Sequence, residues 1–302
     1  MRNDIVLGDC LDVLETMENE SVDAVITDPP YQYLKHHKLD KPFDEQKYFQ
    51  ECFRVLREGY LVFFGRGSAF YKWNVLCEQT GFQFVEEVIW DKVRATSPML
   101  TLQRVHETIA VYRKGKKKLN KVYIDKIEYD KQCNPQAIEN DLKRLLQHLK
   151  KIETFEDWQE FKKGDFIKKN GIVKHRLTYQ GIKMKPLRLF ATYNSYQKGK
   201  LLNSILRVSK EHYQYLHPTQ KPVQIMELLV LLITNEKELV VDTFMGGGST
   251  GIACLKTNRN FLGIEIDTEY FNIAKKRIED YQVQGTLFNE NESVTECHGL
   301  EI

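Results

Sequence analysis

Near the start of the chain, Asp28-Pro29-Pro30-Tyr31 follows an apolar run, Val25-Ile26-Thr27, that reads as a buried strand. Two successive prolines stop both a helix and further sheet pairing. Asp28, the Pro29 carbonyl and Tyr31 would therefore project together from the strand's carboxyl end, where open α/β sheets place their ligands. That trio suits a planar amine. An exocyclic amine on an aromatic base is a poor nucleophile because its lone pair is delocalised into the ring. Acceptors at the Asp28 carboxylate and the Pro29 carbonyl would draw the nitrogen towards tetrahedral geometry and localise that pair. Tyr31 would offer an aromatic face to a base that has left a duplex. Taken alone, the four residues could also be a plain proline turn.

Far downstream, Leu239-Val240-Val241 leads into Asp242-Thr243-Phe244-Met245-Gly246-Gly247-Gly248, and Ser249-Thr250-Gly251 opens a helix. A strand, a glycine turn and a helix in that order let a ligand approach the backbone closely. The next strand ends at Glu265, roughly 20 residues after the loop, where an acidic residue receives ribose hydroxyls. The two features specify an adenosine-type cofactor and leave a dinucleotide and S-adenosylmethionine both open. The loop lacks the spaced Gly-x-Gly-x-x-Gly pattern, and Asp242 suits a positively charged cofactor better than a diphosphate. Cofactor loops of α/β enzymes usually open the domain. Here the loop follows the amine motif by more than two hundred residues, which implies a rearranged connectivity.

The elements that must position these residues alternate. Apolar runs at Ile5 to Leu7, Ala24 to Ile26, Tyr60 to Phe64 and Val85 to Trp90 are separated by amphipathic stretches, which argues for a mainly parallel sheet covered by helices. One helix is expected over Gln46 to Arg57, ended by Gly59, and a strand over Thr108 to Tyr112. From Leu216 the pattern resumes, with helices at Pro222 to Ile233, Ser249 to Lys256 and Tyr270 to Tyr281 and strands at Glu238 to Val241 and Phe261 to Glu265. A polar tail after Gln282 reads as a flexible terminus or a small surface appendage.

Charge separates the middle of the chain from the rest. Between Arg113 and Lys210 stand 25 basic and 10 acidic residues, leaving 19 basic and 32 acidic elsewhere, so a formal charge of +2 conceals two unlike regions. A concentrated basic segment is the footprint of a surface that replaces counterions on a phosphate backbone. Lys116, Lys117 and Lys118, with Lys174 and Arg176 among tyrosines, are the candidate DNA contacts. Ile138, Leu142, Leu145, Leu146, Leu149 and Ile152 follow a helical period inside it. The domain boundaries expected are 1–112, 113–213, 214–282 and a tail at 283–302.

Six cysteines without a Cys-x-x-Cys pair suggest neither a zinc site nor a disulfide framework, and Lys35, His36 and His37 lack metal-ligand spacing and read as a mobile polar loop. No metal is expected. The amino terminus shows no signal-peptide pattern, and no apolar run approaches the roughly 20 residues that span a bilayer. A cytoplasmic protein is the expectation.

Together the motifs resemble the DNA amino-methyltransferases that act on adenine N6 or cytosine N4, and specifically their permuted beta class, in which the Asp-Pro-Pro-Tyr half comes first and the cofactor loop last. Leu7-Gly8-Asp9-Cys10-Leu11, Trp90-Asp91-Lys92, His106-Glu107-Thr108 and His217-Pro218-Thr219-Gln220-Lys221-Pro222 extend the likeness over roughly residues 3 to 112 and 214 to 280. It fails across the basic segment. The resemblance implies a Rossmann-like α/β sheet of the S-adenosylmethionine-dependent, seven-stranded type, circularly permuted, with an inserted recognition region. It implies Asp28, Pro29, Pro30 and Tyr31 as the catalytic motif. Asp242, Phe244, Gly246 and Gly248 would lie at the methionine and adenosine parts of the cofactor, Glu265 at its ribose, Asp9 and Cys10 at its adenine, and Thr219 and Lys221 at the mouth of its pocket. Thr243 stands where many relatives carry proline.

The expectation is a site-specific methyltransferase acting on adenine N6 in double-stranded DNA from S-adenosylmethionine, with cytosine N4 as the alternative. Asp28, where relatives acting on cytosine more often carry serine, favours adenine. Methylation of RNA or protein glutamine, a non-catalytic DNA-binding protein on the same scaffold, and a nicotinamide oxidoreductase are the competing classes. By analogy the partners would include a second copy of the chain, in a homodimer, and a cognate restriction endonuclease.

Overall fold

The computed structural model describes residues 3–31, 42–93, 101–125, 136, 138–141, 196, 198–209 and 220–292. The expected loop residues Lys35, His36 and His37, the contacts Lys174 and Arg176, the pocket residue Thr219, most of the 138–152 helix and the last ten residues lie outside them.

Among the described residues the strands are β1 (Asp4–Leu7), β2 (Val22–Thr27), β3 (Leu56–Gly65), β4 (Gln83–Asp91), β5 (His106–Lys114), β6 (Tyr123–Ile124), β7 (Lys200–Leu201), β8 (Ile205–Arg207), β9 (Leu239–Asp242) and β10 (Asn260–Glu265). The main helices are α1 (Cys10–Thr16), α2 (Glu45–Val55), α3 (Gly67–Thr80), α4 (Val223–Ile233), α5 (Ser249–Lys256) and α6 (Thr268–Glu292). Eight strands form one sheet in the order β1-β10-β9-β2-β3-β5-β4-β8. The first five pair in parallel, β5 runs antiparallel to β3 and β4, and β8 pairs in parallel with β4. This is the Rossmann-like α/β class that the resemblance implies, with one strand beyond the expected seven.

Order and connection together make the site. From β9 the chain crosses through α5 to β10 on one side, and from β2 it crosses through α2 to β3 on the other. Right-handed crossovers in opposite directions place their helices on opposite faces, so a crevice opens between the carboxyl ends of β9 and β2. The central strands are buried on both faces, β2 and β9 almost throughout, as their uninterrupted Val/Ile/Ala runs require. Leu14, Phe49, Val55, Phe63, Trp73 and Leu262 pack into one core under α1, α2 and α3.

Several boundaries differ from those expected, each for a local reason. Helix α2 ends at Val55, and Gly59 lies within β3 opposite Lys114. A Cβ at Gly59 would sit 2.0 Å from the Asp23 carbonyl oxygen, so this glycine admits a close strand approach and does not cap the helix. Helix α6 begins at Thr268, where the Asp267 carboxylate accepts from the Glu269 and Tyr270 amides at 3.0 and 3.2 Å, and it continues through the expected tail to Glu292. Strand β8 was not anticipated. It is fastened to β4 by the Trp90 indole N–H donating to the Val208 carbonyl at 2.8 Å and by the Arg207–Asp91 ion pair at 3.1 Å.

Contacts divide the chain into two compact units, Met1–Asn120 with Asn203–Ile302, and Lys121–Leu202. The first contains the eight-stranded sheet. In the second, β6 and β7 pair antiparallel and residues 138–141 are helical. The division falls inside the expected 113–213 because β5 runs on to Lys114, the Asn120 side chain donates to the Leu231 and Thr234 carbonyls, and β8 joins the large sheet. Among the described residues no helix is long and apolar enough to cross a membrane.

Candidate active site

The register between β2 and β9 pairs Ala24 with Val240 and Val25 with Val241, so the amine motif and the cofactor loop leave the sheet side by side. Hydroxyls join them. Thr243 Oγ1 lies 3.0 Å from Thr27 Oγ1, 216 residues away in sequence, and 2.6 Å from the Tyr48 hydroxyl on α2. All three residues are buried. Thr243 is thus a three-way polar joint, which a proline side chain could not make.

Asp28 is engaged at both oxygens. The Tyr31 hydroxyl donates to Oδ1 at 2.5 Å, and Lys221 forms an ion pair with Oδ2. Lys221 also faces Glu107 Oε2 at 3.2 Å, and the other Glu107 oxygen is paired with Lys92. Burial by itself would lower the pKa of the Lys221 ammonium, but Asp28 and Glu107 together hold it above the usual lysine value. Lys221, expected to help close the cofactor pocket, meets the Asp28 carboxylate. Its backbone carbonyl accepts from Ser249 Oγ at 2.7 Å, which ties it to the start of α5.

Rings connect the two loops. Tyr31 packs on Trp73 at 5.9 Å between centroids, Trp73 on Phe43 at 6.5 Å, Phe43 on Phe244 at 5.3 Å and Phe244 on Tyr48 at 5.6 Å. Trp73 and Tyr48 are fully buried and back the partly exposed Tyr31, Phe43 and Phe244, whose rings are the ones open to a planar ligand.

On the cofactor side, Asp242 is buried, accepting from Thr250 Oγ1 at 2.5 Å and from the Phe244 amide at 3.2 Å. Burial, with the charges of Asp28 and Glu265 added, pushes its pKa up to about 7 despite those bonds. Glu265 is likewise raised by burial, and its two oxygens accept from the Gly246 and Asp267 amides at 2.8 and 2.9 Å. Each oxygen keeps a second lone pair for a ligand hydroxyl. Gly246 and Gly248 have φ of 53° and 76°, and a Cβ at Gly248 would press Ala274 at 3.1 Å, so the turn needs glycine for conformation and for space. The Gly8 amide donates to the Glu265 carbonyl at 2.9 Å, which brings Asp9 and Cys10 beside this end of β10. Asp9 caps α1 through the Leu11 amide at 2.8 Å, and burial, then Asp9, pushes the Cys10 thiol up to about 12. This donor set, with carboxyls at three strand ends and a glycine turn between two of them, fits a cationic cofactor carrying ribose hydroxyls better than a diphosphate.

Of the expected site residues, Asp28, Pro29, Pro30, Tyr31, Lys221, Asp242, Phe244, Gly246, Gly248, Glu265, Asp9 and Cys10 come to the carboxyl edge of one sheet. In the basic run, Lys116 and Lys118 are exposed, whereas Lys117 pairs with Glu238 at 2.5 Å and its carbonyl accepts from the Tyr60 hydroxyl. Sequence reasoning missed Thr243, Tyr48, Thr250 and Phe43 as members of the site. It noted Lys92 and Glu107 only as parts of motifs, although their opposite charges at the ends of two apolar strands were a usable signal.

A sequence model of the DNA methylase family, of N6/N4 type, matches residues 22–276. The type II methyltransferase M.HpaI of Haemophilus parainfluenzae is 24% identical over 291 residues, covering 91% of this chain and 74% of that protein. Among solved structures, the M1.HpyAVI–SAM complex aligns with a TM-score of 0.52 at 21% identity, covering 91% of this chain and 98% of that one. The cytosine-N4-specific PvuII DNA methyltransferase aligns with a TM-score of 0.56 at 15% identity, covering 94% and 92%. Both solved structures share the fold.

Proposed function

The chain belongs to the DNA methylase family, and from that premise we propose that it methylates adenine N6 in double-stranded DNA at a specific site, by base flipping and direct attack of the amine. S-adenosylmethionine is the cofactor and supplies an electrophilic sulfonium methyl. The observation that carries the reading is the adjacency of Asp28 and Asp242 at the ends of neighbouring parallel strands, joined through Thr27 and Thr243 at 3.0 Å. A methyl donor seated over Asp242 would face an amine held at Asp28.

Each residue then has a task. Asp28 and the Pro29 carbonyl accept the amine hydrogens and localise the nitrogen lone pair, while Pro30 keeps the turn rigid. Tyr31 stacks on the flipped base. The cofactor would supply the methyl carbon for attack by the nitrogen lone pair and would keep the carbon–sulfur bonding electrons, and Asp28 or water would take the surplus proton from the nitrogen. Asp242, Phe244, Gly246 and Gly248 hold the methionine and adenosine parts of the cofactor, Glu265 its ribose, and Asp9 with Cys10 its adenine. Thr219 belongs to the same pocket. The segment 113–213 reads the target, with Lys116, Lys118, Lys174 and Arg176 on phosphates. A homodimer and a cognate restriction endonuclease are the partners proposed.

Asp28 at the motif's first position, where cytosine-specific relatives more often carry serine, supports adenine. Sequencing DNA from cells that express the protein, with a modification-sensitive read-out, tests base and target together. Modified adenines in one short recurring sequence are expected, and modified cytosines would transfer the reading to cytosine N4.

A further inference from the structure

Ionised groups buried together are stable only when they balance and each keeps a partner. Four charged side chains near the Asp28 motif form such a chain. Lys92, just after β4, pairs with Glu107 Oε1 in β5; Glu107 Oε2 faces Lys221 Nζ at 3.2 Å; Lys221 pairs with Asp28 Oδ2. Two cations and two anions alternate, with Lys92 and Lys221 only 5% and 9% exposed. Asp28 Oδ1 already accepts from Tyr31, so Oδ2 is the oxygen that an incoming amine would contest with Lys221. A displaced buried ammonium needs a counter-ion. The Phe64 ring, 4.8 Å from Nζ, offers a π face and no charge.

We propose that Glu107, held in place by Lys92, is a positioning residue that shares the Lys221 ammonium with Asp28, so that Oδ2 can be yielded to the amine while the lysine stays paired. The amine is that of the function proposed above, on which this role rests. Lys92 occupies the other Glu107 oxygen and so does not compete for the seat that Lys221 would take. It also orients the carboxylate, and it lies 5.2 Å from the Trp90 ring centroid. The charge of Asp28 also helps raise the pKa of Asp242, on the neighbouring strand β9.

Two variants test this. Glu107→Gln keeps the shape and removes the charge, but it leaves Lys92 without its counter-ion and could destabilise the fold. Lys92→Met with Glu107→Gln restores neutrality. Methyl transfer from labelled S-adenosylmethionine to mixed-sequence DNA from a methylation-free host gives kcat, and thermal melting follows the fold. In both variants kcat should fall about tenfold to hundredfold, as for loss of one charged hydrogen bond, with KM for S-adenosylmethionine unchanged. The double variant should recover the melting temperature but not kcat. Recovery of both would make Glu107 a structural residue and overturn the proposal. Independently, the lysine-ammonium NMR signal that Lys221→Met removes should be lost at lower pH in Glu107→Gln than in the wild type. An unchanged pH would refute the sharing. If the wild-type protein transfers no methyl group to DNA, the functional reading fails, and this titration alone decides whether Glu107 shares the ammonium.

Discussion

The joint at Thr243 is open to a quantitative test, because valine has the shape of threonine without the hydroxyl. Thr243→Val leaves Thr27 Oγ1 and the Tyr48 hydroxyl, both fully buried, without the partner they now have at 3.0 and 2.6 Å. Tyr48 retains a hydrogen bond with Cys52, so most of the loss falls on Thr27. Leaving a buried polar group unsatisfied costs about 1–3 kcal/mol, which puts the variant about 1–3 kcal/mol below the wild type. For a chain of this size that corresponds to a fall in melting temperature of about 2–5 °C. Thr27→Val alone removes one of the two contacts. The double variant Thr27→Val/Thr243→Val removes both members of the buried pair, and apolar groups of the same shape then face one another at little cost. Its destabilisation should therefore be smaller than the sum of the two single variants by about 1 kcal/mol or more. Denaturant unfolding of the four proteins measures the cycle. Strict additivity, or a Thr243→Val variant as stable as the wild type, would refute the claim that this hydroxyl holds the two loops together.

Other expectations follow from the same geometry. Asp28→Ala should abolish methyl transfer and leave S-adenosylmethionine binding by calorimetry nearly unchanged, whereas equal loss of both would make Asp28 structural. Asp242, with its pKa raised from 3.8 to about 7, holds in the fold a proton that the unfolded chain loses between those values; its contribution to stability therefore declines as pH rises through that window. The same titration should make affinity for the cationic cofactor rise from pH 6 to pH 8, because binding favours the ionised carboxylate, and Asp242→Asn should flatten that dependence in calorimetry. Charge reversal at Lys116 and Lys118 should weaken DNA binding and reduce its salt dependence. Lys117→Glu should instead lower the melting temperature, because it would face Glu238 across the existing pair at 2.5 Å.

Where the chain's local chemistry decides structure, the sequence is a good guide. Apolar runs marked β1, β2, β9 and β10, the glycines at 246 and 248 marked the cofactor turn, and Ser249–Lys256 was bounded without error. The sequence is a poor guide where the deciding contact is distant. Nothing around Gly59 signals that the Asp23 carbonyl presses on it, and nothing in Ile205–Arg207 signals that Trp90 receives it as an edge strand. Lys221 was assigned by its neighbours in sequence, yet its ammonium meets a carboxylate 193 residues away. The polar stretch after Gln282 lacks an apolar period, but Gln284, Leu287, Glu290 and Glu292 are adequate helix formers, and a well-capped helix already leads into it.

The central claim is that Asp28 and the Asp242 loop form one site for methyl transfer to an adenine amine. Mass spectrometry of nucleosides measures this directly, from unmethylated double-stranded DNA incubated with the protein and S-adenosylmethionine carrying a deuterated methyl group. Deuterated N6-methyladenine, absent with Asp28→Ala, is the predicted result. Deuterated N4-methylcytosine in its place would contradict the adenine assignment, and unlabelled DNA alongside demonstrated cofactor binding would contradict the site itself.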